Sequence, residues 1–161
     1  MKALNFWKEV ALDRGDFLER VIETLRSGGV RFCAVGDVAV NAYAEPVVTL
    51  DFDLAVVADA LARAESLLKC VAAGDSKLRV QLQTDPRYFP FVERAEPHEL
   101  LGLMLPVASI EDVLREKIWA VQDPQRRPSK RQKDLADIAR LIESRPGLRN
   151  SVPAEILSRL F

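Results

Sequence analysis

The chain has 161 residues, the length of one domain. It is 48% hydrophobic and 29% charged, and 23 basic against 24 acidic side chains leave a net charge of −1. That balance excludes a disordered chain and a polycationic sleeve for nucleic acid. The longest uncharged run, the 11 residues from Leu100 to Ile110, is short of the ~18 needed to cross a membrane.

Phe6, Val10, Phe17, Val21, Ile22 and Leu25 recur at helical spacing, so residues 5–27 are predicted to be helical up to Gly28 and Gly29. Val30 to Val35 is predicted as a short buried strand ending at Gly36, followed by a short helix over 37–44. Leu50 to Val57 is a second strand, and 59–72 an Ala- and Leu-rich helix. Leu78 to Thr84 alternates polar and apolar residues and is the clearest amphipathic strand. An irregular Pro-containing stretch reaches to Pro97, and Leu100 to Leu105 is a further strand. Ser109 and Asp112 resemble a capping box opening a helix to Val121. A loop over 123–129, a helix over 130–143, a break at Arg145-Pro146-Gly147 and a helix over 153–160 complete the chain. The order predicts an α/β (or α+β) fold: one domain over 1–161, with a core at about 30–106 and a helical part at about 109–161.

The start of the chain has no apolar stretch of signal-peptide length. Cys33 and Cys70 sit in apolar surroundings and form no CxxC pair, so both are expected to be buried, reduced thiols in the cytoplasm. With His98 as the single histidine, no Cys/His zinc site can be assembled. Trp119 and Phe161 are assigned to packing, with Phe6 and Trp7.

Thr49-Leu50-Asp51-Phe52-Asp53-Leu54 carries the strongest chemical signal. Alternation along a strand puts Asp51 and Asp53 on one face and the apolar residues on the other. Two hard carboxylates so placed suit Mg²⁺ or Mn²⁺ shared with substrate phosphates; the competing reading is a solvated sheet face. Gly36, where a strand passes into a helix, offers backbone N–H groups to a phosphate. Arg126, Arg127, Lys130, Arg131 and Lys133 crowd into eight residues without an acid, as a grip for phosphate or RNA or as a solvated helix face. Lys130, Asp134 and Asp137 share one helix face, in a functional cluster or in plain intrahelical pairs. Tyr88, Phe89 and Phe91, near Arg87 and Arg94, would either stack a base or form a hydrophobic cluster.

The run Cys33-Ala-Val-Gly-Asp-Val-Ala-Val-Asn-Ala-Tyr, followed by Pro46-Val-Val-Thr-Leu-Asp-Phe-Asp-Leu, resembles the first motif of the polymerase-beta-type nucleotidyltransferases. The AbiEii-type, toxin-like members are the most similar. Ile110-Glu-Asp-Val-Leu-Arg-Glu-Lys-Ile-Trp resembles their Leu-x-x-Lys helix, and Arg126-Arg-Pro-Ser-Lys-Arg-Gln-Lys-Asp-Leu-Ala-Asp-Ile their closing Lys/Arg…Asp-x-x-Asp helix. The resemblance implies a nucleotidyltransferase fold with a small mixed sheet flanked by helices. It implies metal at Asp51 and Asp53, catalytic roles for these with Lys117 and Asp137, and nucleotide or phosphate contacts at Gly36, Asp37, Thr49, Lys130 and Asp134. The reaction implied is transfer of a nucleoside monophosphate from a nucleoside triphosphate to tRNA, another RNA or a protein, with an antitoxin as a further partner.

Three departures stand beside it. Asp37 takes the place of a Gly or Ser, and Val47 that of an Arg. The strand Leu78 to Thr84 offers Arg79, Gln81 and Gln83 where active members carry a third carboxylate, leaving Asp37 or Asp85 as substitutes. A weakened module that binds nucleotide, RNA or protein is the alternative.

Overall fold

The computed structural model describes residues 16–161; the predicted helical turns before Asp16, with Phe6 and Trp7, lie outside them. Helix α1 (Phe17–Ser27) buries Phe17, Leu18, Val21, Ile22 and Leu25, the stripe expected from the spacing. Gly29 at φ 68° ends it, and the Val30 N–H returns to the Leu25 carbonyl at 3.0 Å, closing the last turn. Strand β1 (Phe32–Val35) is buried along its whole length, as a central strand covered on both faces must be. Helix α2 (Gly36–Val40) follows without a loop. Strand β2 (Asp51–Val56) then runs antiparallel to β1, with Val35 opposite Asp53. After helix α3 (Leu61–Leu68), strand β3 (Arg79–Gln83) pairs parallel with β2.

The stretch read as irregular is built. A 3₁₀ turn (Pro86–Tyr88), a short helix α4 (Phe89–Glu93) and strand β4 (Glu96–Leu100) occupy it. Pro86 and Pro90 fall in first turns, where no N–H is needed, and Pro97 lies on a sheet edge, where proline is tolerated. The strand predicted over 100–105 instead straddles a hairpin: β4 turns through Leu101 (φ 55°) and Gly102 (φ 81°) into β5 (Leu103–Val107). Positive φ at both central residues gives the twist that tight hairpins need, but leucine does not announce it.

The five strands form one mixed sheet in the order β3-β2-β1-β5-β4, with β1 and β5 parallel. The fold is therefore mixed α/β, as predicted. Ser109 caps helix α5 (Ile110–Gln122), its Oγ accepting the Asp112 N–H at 3.2 Å. Pro128 opens helix α6 (Pro128–Ser144) two residues early, since its fixed φ suits the first helical position. Helix α7 (Ala154–Leu157) is shorter than predicted. Val113 and Leu114 of α5 and Leu135, Ile138 and Leu141 of α6 join Phe52 and Leu54 of β2 in one core.

Two packing expectations fail. Cys33 is buried, with its thiol pushed up to about 12 by that burial, but Cys70 is exposed on the last turn after α3. Phe161 is 64% exposed, with the Arg149 guanidinium 4.5 Å over its ring.

Candidate active site

The antiparallel pairing of β1 and β2 brings the start of β2 beside the turn that leaves β1. Gly36 therefore meets Asp53: a Cβ at Gly36 would lie 2.5 Å from Asp53 Oδ2, and φ is 69° there. Glycine is required twice over, by backbone conformation and by space. Phe52 and Leu54 are buried, while Asp51 and Asp53 line a cleft of about 560 Å³ on the other face of β2. Asp51 meets Arg79 at 2.7 Å and Lys130 at 3.8 Å, both partly exposed cations. Asp53 receives the Gln83 amide at 3.3 Å. Burial, with the charges of Asp37 and Asp51, pushes the Asp53 carboxyl up to about 6.

Lys117 lies deeper. It is 3% exposed, and its Nζ stands 2.5 Å from Asp37, 2.9 Å from Asp137 and 3.3 Å from Asp134. Burial opposes the charged ammonium, but Asp37, Asp137 and Glu116 outweigh it and hold Lys117 protonated. Asp37 also pairs with Lys133; although burial opposes it, the two lysines hold this carboxyl well below the usual range. Arg126 forks onto Asp134 at 2.8 and 3.1 Å, and Arg140 braces Asp137 at 2.8 Å. Helices α5 and α6 thus deliver Lys117, Lys130 and Asp134 to the cleft of Asp51 and Asp53, with Asp137 behind Lys117.

Thr49 is buried at the entry to β2, its Oγ1 accepting the Asp51 N–H at 3.2 Å. The basic run divides: Arg126 and Lys130 line the cleft, Lys133 reaches Asp37, Arg131 donates to the Asp123 carbonyl and Arg127 is exposed. Asp85 caps the 3₁₀ turn and pairs with Arg87, outside the lining of the cleft that holds Asp51 and Asp53. Beside Asp53 in register, β3 presents Gln81. Tyr88, Phe91 and Trp119 form an aromatic cluster with centroids 5.3 to 6.0 Å apart, so packing takes most of that segment.

Sequence reasoning passed over Glu116. It is buried, accepts the Gly36 N–H at 2.8 Å and the Tyr88 hydroxyl at 3.2 Å, and lines the same cleft. Burial and the charge of Asp53 push its carboxyl up to about 7. The amide that the resemblance offered to a phosphate is thus engaged by Glu116. The available signal was a carboxylate beside Val113, Leu114 and Lys117, on the apolar side of its helix, where an acid is rare without a task.

Two acid groups compete as a cation site. Oxygens of Asp37, Asp134 and Asp137 lie within 4.8 Å of one another, at ligand spacing. The Lys117 ammonium stands among them and is their cation, so a metal there would strand a buried lysine. Asp51 and Asp53 fit better: two hard oxygen donors on one open face, with Asp53 touched by an amide and raised by burial and by like charge.

A family model described as "Nucleotidyl transferase AbiEii toxin, Type IV TA system" matches residues 3–161. No curated protein matches the chain. The solution structure of the antibiotic-resistance factor ANT(2'')-Ia is similar at a TM-score of 0.55 and 13% identity, over 93% of this chain and 90% of that one. An antigenic nucleotidyltransferase-like protein from Paracoccidioides brasiliensis is similar at 0.53 and 18%, over 79% and 75%. At such identities these two structures speak for the fold.

Proposed function

The chain belongs to the AbiEii nucleotidyltransferase family, and on that premise we propose that it is a metal-dependent enzyme moving a nucleoside monophosphate from a nucleoside triphosphate to an acceptor hydroxyl. The observation that carries this reading is the convergence of Asp51 and Asp53 with Lys117, Lys130 and Asp134 on one cleft. Asp51 and Asp53 hold Mg²⁺ or Mn²⁺, which when bound stabilises charge on the transferring phosphate. Lys130, half-exposed at the rim, is free to turn from Asp51 to a phosphate oxygen. Lys117 fixes Asp37, Asp134 and Asp137, and with them the angle between α2, α5 and α6. Glu116 ties the Gly36 turn to α5 and so sets the position of Asp53.

The acceptor class we favour is RNA, including tRNA, because Lys130 stands half-exposed at the cleft rim and Arg127 is exposed next to Arg126 of the cleft wall; a protein hydroxyl is the other candidate. In the cell this reading makes the chain the cytoplasmic toxin of a toxin–antitoxin pair, with an antitoxin as partner. Gln81 and Gln83 in place of a carboxylate favour a second reading, a weakened module that binds nucleotide, RNA or protein without transfer.

The test is incubation of the chain with each labelled nucleoside triphosphate, Mg²⁺ or Mn²⁺, and total cellular RNA and protein. Transfer to one acceptor class is expected, falling by at least ~10²-fold in an Asp51→Asn/Asp53→Asn variant. Equal metal–nucleotide binding and equal transfer in both proteins would install the binding-module reading instead.

A further inference from the structure

Arg87 contributes to the cleft wall in a way that the transfer reading leaves unused. Its guanidinium carbon lies 4.4 Å from the centroid of the Trp119 ring. Asp85 fastens it there: Oδ2 accepts from Nε at 2.9 Å and Nη2 at 2.8 Å, while Oδ1 accepts the Arg87 backbone N–H at 2.9 Å. Trp119 is braced in turn, stacked on buried Phe91 and edge-on to Tyr88. The Arg87 side chain is still 56% exposed. The result is a flat cation, held by Asp85, in the wall of the cleft that also holds the metal-binding and phosphate-binding candidates.

The chemistry of that surface selects its ligand. The Nε–Nη2 edge, which would grip a phosphate with two parallel bonds, is taken by Asp85. The Nη1–Nη2 edge stays open, which the tripolyphosphate control addresses, and so does the plane: planar guanidinium and indole groups hold nucleobases by stacking. Gln122, three residues beyond Trp119 and so on the same face of α5, brings an amide donor and acceptor to the same wall.

We propose that Arg87, laid over Trp119 and locked by Asp85, is a shelf on which a nucleobase stacks. The proposal rests on the nucleotidyltransferase reading. The base belongs to the incoming nucleoside triphosphate or to the terminal nucleotide of a single-stranded RNA acceptor, and the two sources are separable.

Calorimetric titrations in Mg²⁺ would compare each nucleoside triphosphate with inorganic tripolyphosphate, and a short single-stranded oligoribonucleotide with its 3′-abasic counterpart. The proteins are wild type, Arg87→Ala, Arg87→Lys, Asp85→Asn and Asp51→Asn/Asp53→Asn. Arg87→Ala is expected to weaken the base-bearing probe by about 5- to 100-fold while changing its baseless partner less than about twofold. Loss on the triphosphate arm identifies the donor base; loss on the RNA arm, the acceptor base. Arg87→Lys keeps the charge but not the plane and is expected not to rescue; Asp85→Asn, which frees the guanidinium, is expected to fall between. Equal losses for triphosphate and tripolyphosphate, rescue by lysine, or no preference of the wild type for a base-bearing probe would each overturn the shelf. If the Asp51→Asn/Asp53→Asn protein loses triphosphate binding while the Arg87 variants lose neither the triphosphate nor the RNA probe, the shelf falls and the transferase reading stands. If the RNA arm alone depends on Arg87 and no triphosphate binds, the shelf stands and the transferase reading falls.

Discussion

Asp37, in the first turn of α2, and Asp53, within β2, face one cleft, and their surroundings drive them in opposite directions. Asp37 lies between Lys117 and Lys133 and is held ionised to low pH. Asp53 is bonded to an amide and is raised to about 6 by burial first and then by the charges of Asp37 and Asp51, which Lys117 offsets only in part. One carboxylate is neutralised by the chain itself and acts as a structural tie. The other is left short of positive charge, the condition of a group that takes its cation from outside. Counting acids in a cleft would merge the two; counting the cation each already has separates them.

The largest effect is expected at Lys117. Replacing it with Ala leaves Asp134 and Asp137 buried without their central cation, and breaking such a pair costs about 3–5 kcal/mol. Urea unfolding measures this, and a loss below about 1 kcal/mol would show that the cluster does not hold the fold together.

Glu116 makes stability depend on pH. Its carboxyl titrates at about 7 in the fold, against an ordinary value of 4.5. The fold therefore favours the neutral form: that contribution is complete below pH 4.5 and is lost as pH rises through 7. Lys117, Asp53, the Tyr88 hydroxyl and the Gly36 N–H are the groups facing it. Between pH values near 5 and 8 the wild type should lose about 2–3 kcal/mol relative to Glu116→Gln, which does not ionise. Parallel urea curves for the two proteins would contradict the buried, ionisable placement.

The two aspartates give opposite signs. Asp53 has a raised carboxyl, so its neutral form is favoured and stability falls as pH rises through about 6. Above that pH, Asp53→Asn should be more stable than wild type by about 1–2 kcal/mol, and Mg²⁺ should narrow the gap by raising only the wild-type melting temperature. Asp37 has a lowered carboxyl, so its contribution is present above 3.8 and lost as pH falls through the folded value. Asp37→Asn should cost about 1–3 kcal/mol at neutral pH. The same sign for both, in thermal melts near pH 7.5, would end the distinction. The smallest effect is expected at Lys133: its side chain is 39% exposed, and Lys133→Ala should cost less than about 1 kcal/mol in the same melts.

Much of the frame was legible because its signals are local. The alternation of Asp51 and Asp53 with Phe52 and Leu54 sets the faces of β2 whatever the strand packs on. The spacing of Phe17, Val21, Ile22 and Leu25 does the same for α1. Strand β4 and its hairpin were hidden because Pro97 weakens a strand signal and Leu101 adopts a turn conformation that leucine seldom takes. Asp85, read as a spare metal ligand, is bound to Arg87 two residues away, a local pairing that composition alone does not reveal.

The amino-acid sequence by itself determined which residue types lie on which face of each element, and through its motifs the family. Only the tertiary structure decided which charge meets which. Lys117 reaches Asp37 across 80 positions of chain and Lys133 reaches it across 96, while Glu116 reaches the Gly36 amide across 80. Periodicity is fixed by backbone geometry within a few residues. The fate of a carboxylate depends on burial and on cations within a few ångströms, and those arrive from distant segments only once β1, β2, α5 and α6 have packed.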